Sequence, residues 1–120
     1  MEPGQELLAA LEQEPWSVTL RSRDRVVAYM GIHTMWPGRA ECWAVFDRRC
    51  VDEFIGIHRV ARRILFDDCP VRRVEAVVEC NFTKGHHWMR LLGFKLEAAR
   101  MPYYYPDGKD CALYSRIREG

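Results

Sequence analysis

Hydrophobic and polar residues change rhythm several times along the chain. Leu7, Leu8 and Leu11 fall on one helical face with glutamates on the other, and Pro15 closes the stretch, which predicts a helix from Pro3 to Glu14. Trp16-Ser17-Val18-Thr19-Leu20 alternates with the period of a half-buried strand. Ser22-Arg23-Asp24-Arg25 is a polar turn, and a longer strand follows over Val26–Met35. Trp36-Pro37-Gly38 is a turn signal, after which Arg39–Asp47 forms a third strand. The connections are too short for parallel crossovers, so these three strands make an antiparallel meander.

From Val51 to Phe66 the spacing becomes helical. Phe54, Ile57, Ala61, Ile64 and Leu65 line one stripe, and Arg59, Arg62 and Arg63 lie largely off it. Asp52 and Glu53 occupy the first turn, where carboxylates complement the helix dipole. Arg73–Cys80 is short and rich in valine, as a central strand is, and strand, helix and strand together form a βαβ unit that lays it parallel to the third strand. Thr83–Leu92 is a second long helix stopped by Gly93. Phe94–Pro102 and Cys111–Ile117 are the last strands, joined by a loop carrying Pro106-Asp107-Gly108. The order α-β-β-β-α-β-α-β-β predicts a three-layer α/β arrangement, a mixed sheet with helices on both faces, in a single domain over residues 1–120.

Composition narrows the function classes. Eighteen Lys/Arg against seventeen Asp/Glu leave a formal charge of +1, without the basic excess of a non-specific nucleic-acid binder. Only Arg59, Arg62, Arg63, Arg72 and Arg73 could form a basic patch, so nucleic acid is disfavoured as a partner. No apolar run approaches the ~20 residues of a membrane span. The acidic start Met1-Glu2-Pro3-Gly4-Gln5-Glu6 does not read as a signal peptide, which predicts a cytoplasmic domain. The five cysteines include no CxxC or CxxH pair, and His86-His87 point about 100° apart on a helix, so no metal site is expected.

The element order, together with Trp88-Met89-Arg90-Leu91-Leu92-Gly93-Phe94, resembles the GNAT N-acetyltransferase superfamily, in which a short helix ends in Leu-Gly-Phe before a terminal hairpin. The resemblance runs over residues 3–118, and against it the family's usual first strand and first helix are missing, leaving an open sheet edge beside Trp16–Leu20. That edge predicts a homo-oligomer or another partner chain. Short, glycine-poor versions of this kind are similar to GNAT-like proteins of bacteriophages, which places the chain in a host cytoplasm if it is phage-encoded.

The resemblance implies transfer of an acetyl or related acyl group from acetyl-CoA, or a related acyl-CoA, to an amine of a protein or small molecule. The family's pyrophosphate motif, Gln/Arg-x-x-Gly-x-Gly/Ala, matches here only at Gly56; Val51 stands for the first residue and Phe54 for the first glycine. On this reading Arg48, Arg49, Cys50 and Val51 meet the phosphates at a helix start, the amides from Arg49 to Glu53 holding the pyrophosphate, since free N–H groups suit an anion. The main chain of Val45 and Phe46 pairs with the pantetheine arm, and Asn81 lies where the family has a cofactor-contacting Asn. The alternative is ordinary helix packing for Phe54 and Gly56, a solvated loop for the arginines and a helix cap for Asn81. Glu41 matches the family's base on the third meander strand, or else is a solvated carboxylate on a sheet face. The family's tyrosine acid, four residues before Gly93, is here Met89, which has no proton to donate; Tyr103, Tyr104, Tyr105 and Tyr114 are the substitutes available. The short start, poor glycine cradle and Met89 leave a second function open: a GNAT-fold binding protein without turnover, as a phage virion component or host-directed effector.

Overall fold

The computed structural model of the chain describes residues 8–14 and 16–119. In chain order the elements are β1 (Leu8–Glu14), β2 (Ser17–Ser22), β3 (Arg25–Trp36) and β4 (Arg39–Phe46), then a 3-10 turn (Cys50–Glu53), α1 (Phe54–Arg62) and a π-helical stretch (Arg63–Asp68). β5 (Arg73–Glu79), α2 (Thr83–Leu92), β6 (Lys95–Met101) and β7 (Cys111–Ile117) complete it. The strands are hydrogen-bonded in the order β1-β2-β3-β4-β5-β7-β6. β4 and β5 run parallel, whereas the β1–β2, β2–β3, β5–β7 and β6–β7 ladders are antiparallel. The sheet is therefore mixed, and the βαβ step from the third meander strand is the one the sequence predicts.

The predicted N-terminal helix is not formed. Leu8–Glu14 is β1, whose rows with β2 run from Leu8↔Ser22 to Glu14↔Ser17; Pro3–Leu7 lie outside the described residues. Helix propensity separates ordinary residues by only ~0.7 kcal/mol each. A strand edge offers a whole row of unpaired N–H and C=O groups, and that row outweighs local preference. The edge expected to be open beside Trp16–Leu20 is thus closed by the chain itself, which removes the reason for expecting self-association there.

The chain groups into two compact units, one running from its start to His33 and again over Cys42–Pro70, the other comprising Thr34–Glu41 and Val71 to the end. In the first unit β2 and β3 bury Val18, Leu20, Val27, Ala28, Met30 and Ile32, while the helical segment buries Ile57, Ala61, Ile64, Leu65 and Cys69. These helical positions follow the predicted stripe, except that Phe54 stays exposed. The single helix expected over Val51–Phe66 is entered by the 3-10 turn and loosened at its end, where the Cys69 N–H donates to the Ile64 carbonyl at 2.9 Å, five residues back.

In the second unit, Val74, Ala76 and Val78 of β5 stand opposite Arg116, Tyr114 and Ala112 of β7. All six are buried. α2 closes on this layer through Gly85: a Cβ there would lie 2.8 Å from Val78 Cγ1 and 2.6 Å from Phe82 Cδ2. The helix stops where predicted. Gly93 has φ 101°, and the Gly93 and Phe94 N–H groups both donate to the Met89 carbonyl. Gly85→Ala should destabilise the protein by ~1–3 kcal/mol in urea denaturation, because overpacking against β-branched Val78 exceeds the ~1 kcal/mol that alanine gains in a helix. A stabilised variant would mean that α2 does not approach β5 this closely.

Candidate functional site

The opposite face of the second unit is polar, and its alternation with the apolar face sets up the site. Row by row, Arg39 of β4 stands beside Arg73 of β5 and Ile117 of β7, and Glu41 beside Glu75 and Ser115. Glu75 is 7% exposed. Arg39 donates to it twice, Nε to Oε2 at 2.7 Å and Nη2 to Oε1 at 2.9 Å, and Arg73 Nε donates to Oε2 at 2.6 Å. Arg73 turns its remaining donors to Glu97 of β6 at 2.7 and 2.8 Å, and the Ser115 hydroxyl donates to the same carboxylate. Arg39 also stacks over the Trp36 ring, 4.6 Å from its centroid. Arg73, a member of the basic patch weighed above, is thus committed to carboxylates.

Glu41 is half-buried in the row beside Glu75. The β6–β7 loop carries Tyr103, Tyr104 and Tyr105. Tyr103 sits at φ 54°, a left-handed conformation strained for a tyrosine, and its N–H donates to Asp110 Oδ1 at 3.0 Å. The Tyr105 carbonyl accepts the Gly108 N–H at 2.8 Å, which brings Pro106-Asp107-Gly108 back on itself. Tyr104 and Tyr105 pack edge to face with centroids 5.4 Å apart. Burial pushes the Tyr104 phenol up, and the field of the Glu41 carboxylate pushes it further. The same two influences act on Tyr105, together with Cys111, Tyr104 and Glu79. Near neutral pH both tyrosines are therefore hydrogen-bond donors beside a carboxylate. The sequence offered these tyrosines as substitutes for the acid; the fold-back of their loop has no signal in a linear reading beyond the turn residues.

The other predicted site residues are placed as follows. Val45 is exposed and Phe46 half-buried at the end of β4, in the first unit. Arg48 and Arg49 are exposed in the turn after β4, Cys50 and Val51 begin the 3-10 turn, and Gly56 is buried in α1. Burial holds the Cys50 thiol above its ordinary pKa. Arg49 is fastened to Asp47, its Nε and Nη2 donating to the two carboxylate oxygens at 3.2 and 3.1 Å. Asn81 is exposed after β5, in the second unit, and its carbonyl accepts the Thr83 N–H at 3.1 Å. Met89 is buried.

His86 is a structural tie. Its Nε2 lies 3.1 and 3.0 Å from the Glu79 and Cys80 carbonyls, which can only accept, so Nε2 carries the proton and Nδ1 accepts from the Tyr114 hydroxyl at 2.7 Å. Among the described residues no three His, Cys, Asp or Glu side chains group as a metal site would, and no described helix is long and apolar enough to cross a membrane. All five cysteines are reduced thiols.

Solved structures place this architecture. Ard1 from Thermoplasma volcanium superposes with a TM-score of 0.73 at 17% identity, over 87% of this chain and 71% of that one. A GNAT-family acetyltransferase from Bacillus anthracis gives 0.70 at 14% identity, over 84% of this chain and 65% of its own length. RimL, a ribosomal L7/L12 α-N-protein acetyltransferase solved with coenzyme A, gives 0.70 at 15% identity, over 84% and 60%. The fold is that of the GNAT acetyltransferases. No protein-family model and no curated protein matches the sequence. The chain spans about two thirds or less of the Bacillus anthracis and RimL structures.

Two outcomes test the polar face. Arg39, with Arg73 adding, holds the Glu75 carboxyl at about 2 instead of 4.5 against the opposing effect of burial. Its contribution to stability is full above pH ~4.5 and is lost as the pH falls towards 2. Glu75→Gln should lower stability at neutral pH and flatten that decline in urea melts between pH 4.5 and 2. An unchanged acid profile would disconnect Glu75 from the fold. Separately, Glu41→Gln should lower the Tyr104 phenol pKa, read as tyrosinate absorbance against a Tyr104→Phe reference. No movement would mean that Glu41 does not face Tyr104.

Proposed function

We propose that the chain is an N-acyltransferase that moves an acetyl group from acetyl-CoA, or a related acyl group from its acyl-CoA, to the amine of a protein or small molecule. The observation that carries this reading is Glu41, half-buried on β4 of a GNAT fold in the row beside buried Glu75. An alkyl amine with a pKa of ~10.4 is protonated near neutral pH and cannot attack. Glu41 takes that proton. Arg39, two residues before Glu41 on β4, is committed to Glu75 by two hydrogen bonds. When bound, the donor supplies a thioester carbonyl. The main chain at Val45 and Phe46, beyond the last row of the β4–β5 ladder, is the segment that would pair with the amides of its pantetheine arm. Tyr104 donates a hydrogen bond in the role that Met89 cannot fill. The reduced cysteines suit a cytoplasmic setting.

A second reading is a GNAT-fold protein that binds without turnover, as a phage virion component or host-directed effector. Buried Met89, a thioether with no proton to give, favours it. Glu41→Gln separates the two. For an enzyme, turnover should fall ~10²–10⁴-fold, most visibly at lower pH, with donor affinity kept. Wild-type-like turnover of the variant from pH 6 to 9 would remove Glu41 from the chemistry. Donor binding by the wild type with no turnover on any amine would establish the second reading.

A further inference from the structure

We propose that the donor is recognised through its acyl-pantetheine arm and not through the nucleotide pyrophosphate, so that pantetheine thioesters without the nucleotide bind as well as those of coenzyme A. This rests on the acyl-transfer reading above. An anion binds at a helix start when N–H groups point outward and the potential is positive. At the turn into α1, within the first unit, the first two amides are already taken and the positive charge is matched.

Asp47 occupies the donors. Its Oδ1 accepts the Arg49 N–H at 2.7 Å, its carbonyl accepts the Cys50 N–H at 3.1 Å, and its carboxylate takes the Arg49 guanidinium at 3.1 and 3.2 Å. The side-chain and backbone hydrogen bonds from Arg49 keep the Asp47 carboxyl ionised, at about 2. Two amides and a cation assigned to phosphate by the sequence are therefore already satisfied by an anion of the protein's own.

Glu53 adds a second obstacle. It is 6% exposed, and its Oε1 accepts from Arg25 Nη2 at 3.2 Å, but Oε2 is buried without a hydrogen-bond partner. Such an oxygen calls for a donor, and a diphosphate brings only acceptors and more negative charge. Arg25 is drawn inward by this pair and by the Arg49 carbonyl, to which its Nη2 donates at 3.4 Å. Asp47, Asp52 and Glu53 thus balance Arg25, Arg48 and Arg49, leaving no net positive charge at the turn. The surface that glycine backbone would have offered carries side chains instead: Val51 is 77% and Ile55 65% exposed, and Phe54 stands where the family motif has glycine. The pyrophosphate does not fit this turn.

Calorimetric titration of the full chain with acetyl-CoA, S-acetylpantetheine and 3′-phosphoadenosine 5′-diphosphate tests the proposal. The two thioesters should bind within about 3-fold of each other, and the nucleotide should show no heat at millimolar concentration. Asp47→Ala, which releases the amides and Arg49, should tighten acetyl-CoA by roughly 5- to 30-fold and leave S-acetylpantetheine unchanged. Asp47→Asn, which keeps the turn but removes the charge, should shift in the same direction and serves if the alanine variant does not fold. Acetyl-CoA binding more than about 100-fold tighter than S-acetylpantetheine, or weakened by Asp47→Asn, would overturn the proposal and leave acyl transfer standing. If neither thioester binds and none is turned over, acyl transfer itself falls and the donor assignment with it.

Discussion

Glu75 is a carboxylate with almost no water around it, on the central strand of the second unit. Left unpaired, it would cost several kcal/mol or give up its charge. It keeps the charge because Arg39 reaches it from β4 and Arg73 from its own strand, and Arg73 in turn is held by Glu97 of β6. This requirement specifies the register. Sliding β5 by one residue would turn Glu75 into the layer of Val74 and Ala76, away from Arg39. Four strands, β4, β5, β7 and β6, are therefore referenced to one side chain, and Glu41 inherits its position from being in the same row.

The same pairing chemistry has different consequences in the two units. On β4, the match of Arg39 with Glu75 keeps a buried carboxylate ionised within the fold. After β4, the match of Arg49 with Asp47 removes a cation and two amides that a phosphate would otherwise use. A single-sequence count of charges cannot distinguish these cases from solvated ions, because both leave the net charge untouched. What separates them is which neighbour each arginine faces, and that is set by the fold.

Much of the architecture was legible because periodicity is local. The valines of β5, the helical stripe of α1 and the glycine stop of α2 each follow from a few adjacent residues; Thr83–Leu92 and Cys111–Ile117 have the predicted bounds. Leu8–Glu14 was not legible, since Leu-Ala-Ala-Leu-Glu-Gln-Glu has good helix formers, and the ladder to β2 that overrides them is a property of another segment. Glu41 could be flagged on its strand. Its surroundings could not, because Arg39 and Glu75 are separated by 36 residues, as Arg73 and Glu97 are by 24.

The loop after β6 shows how a backbone without regular structure is held in one conformation. A proton donor in the middle of α2 would be carried by a rigid helix; Met89 instead contributes its thioether to the core and its carbonyl to the helix stop. A loop positions a side chain only if its backbone is overdetermined. Here it is. Asp110 accepts from the Tyr103 N–H and from Arg100 Nε, the Tyr105 carbonyl accepts from Gly108, and the Tyr105 N–H donates to the Lys109 carbonyl at 3.2 Å. The left-handed Tyr103 is the strained residue that these bonds hold in place, and it aims the chain so that Tyr104 comes under the field of Glu41. Fixing a phenol next to a carboxylate in this way costs backbone strain, and such strain persists only where the surrounding contacts enforce it.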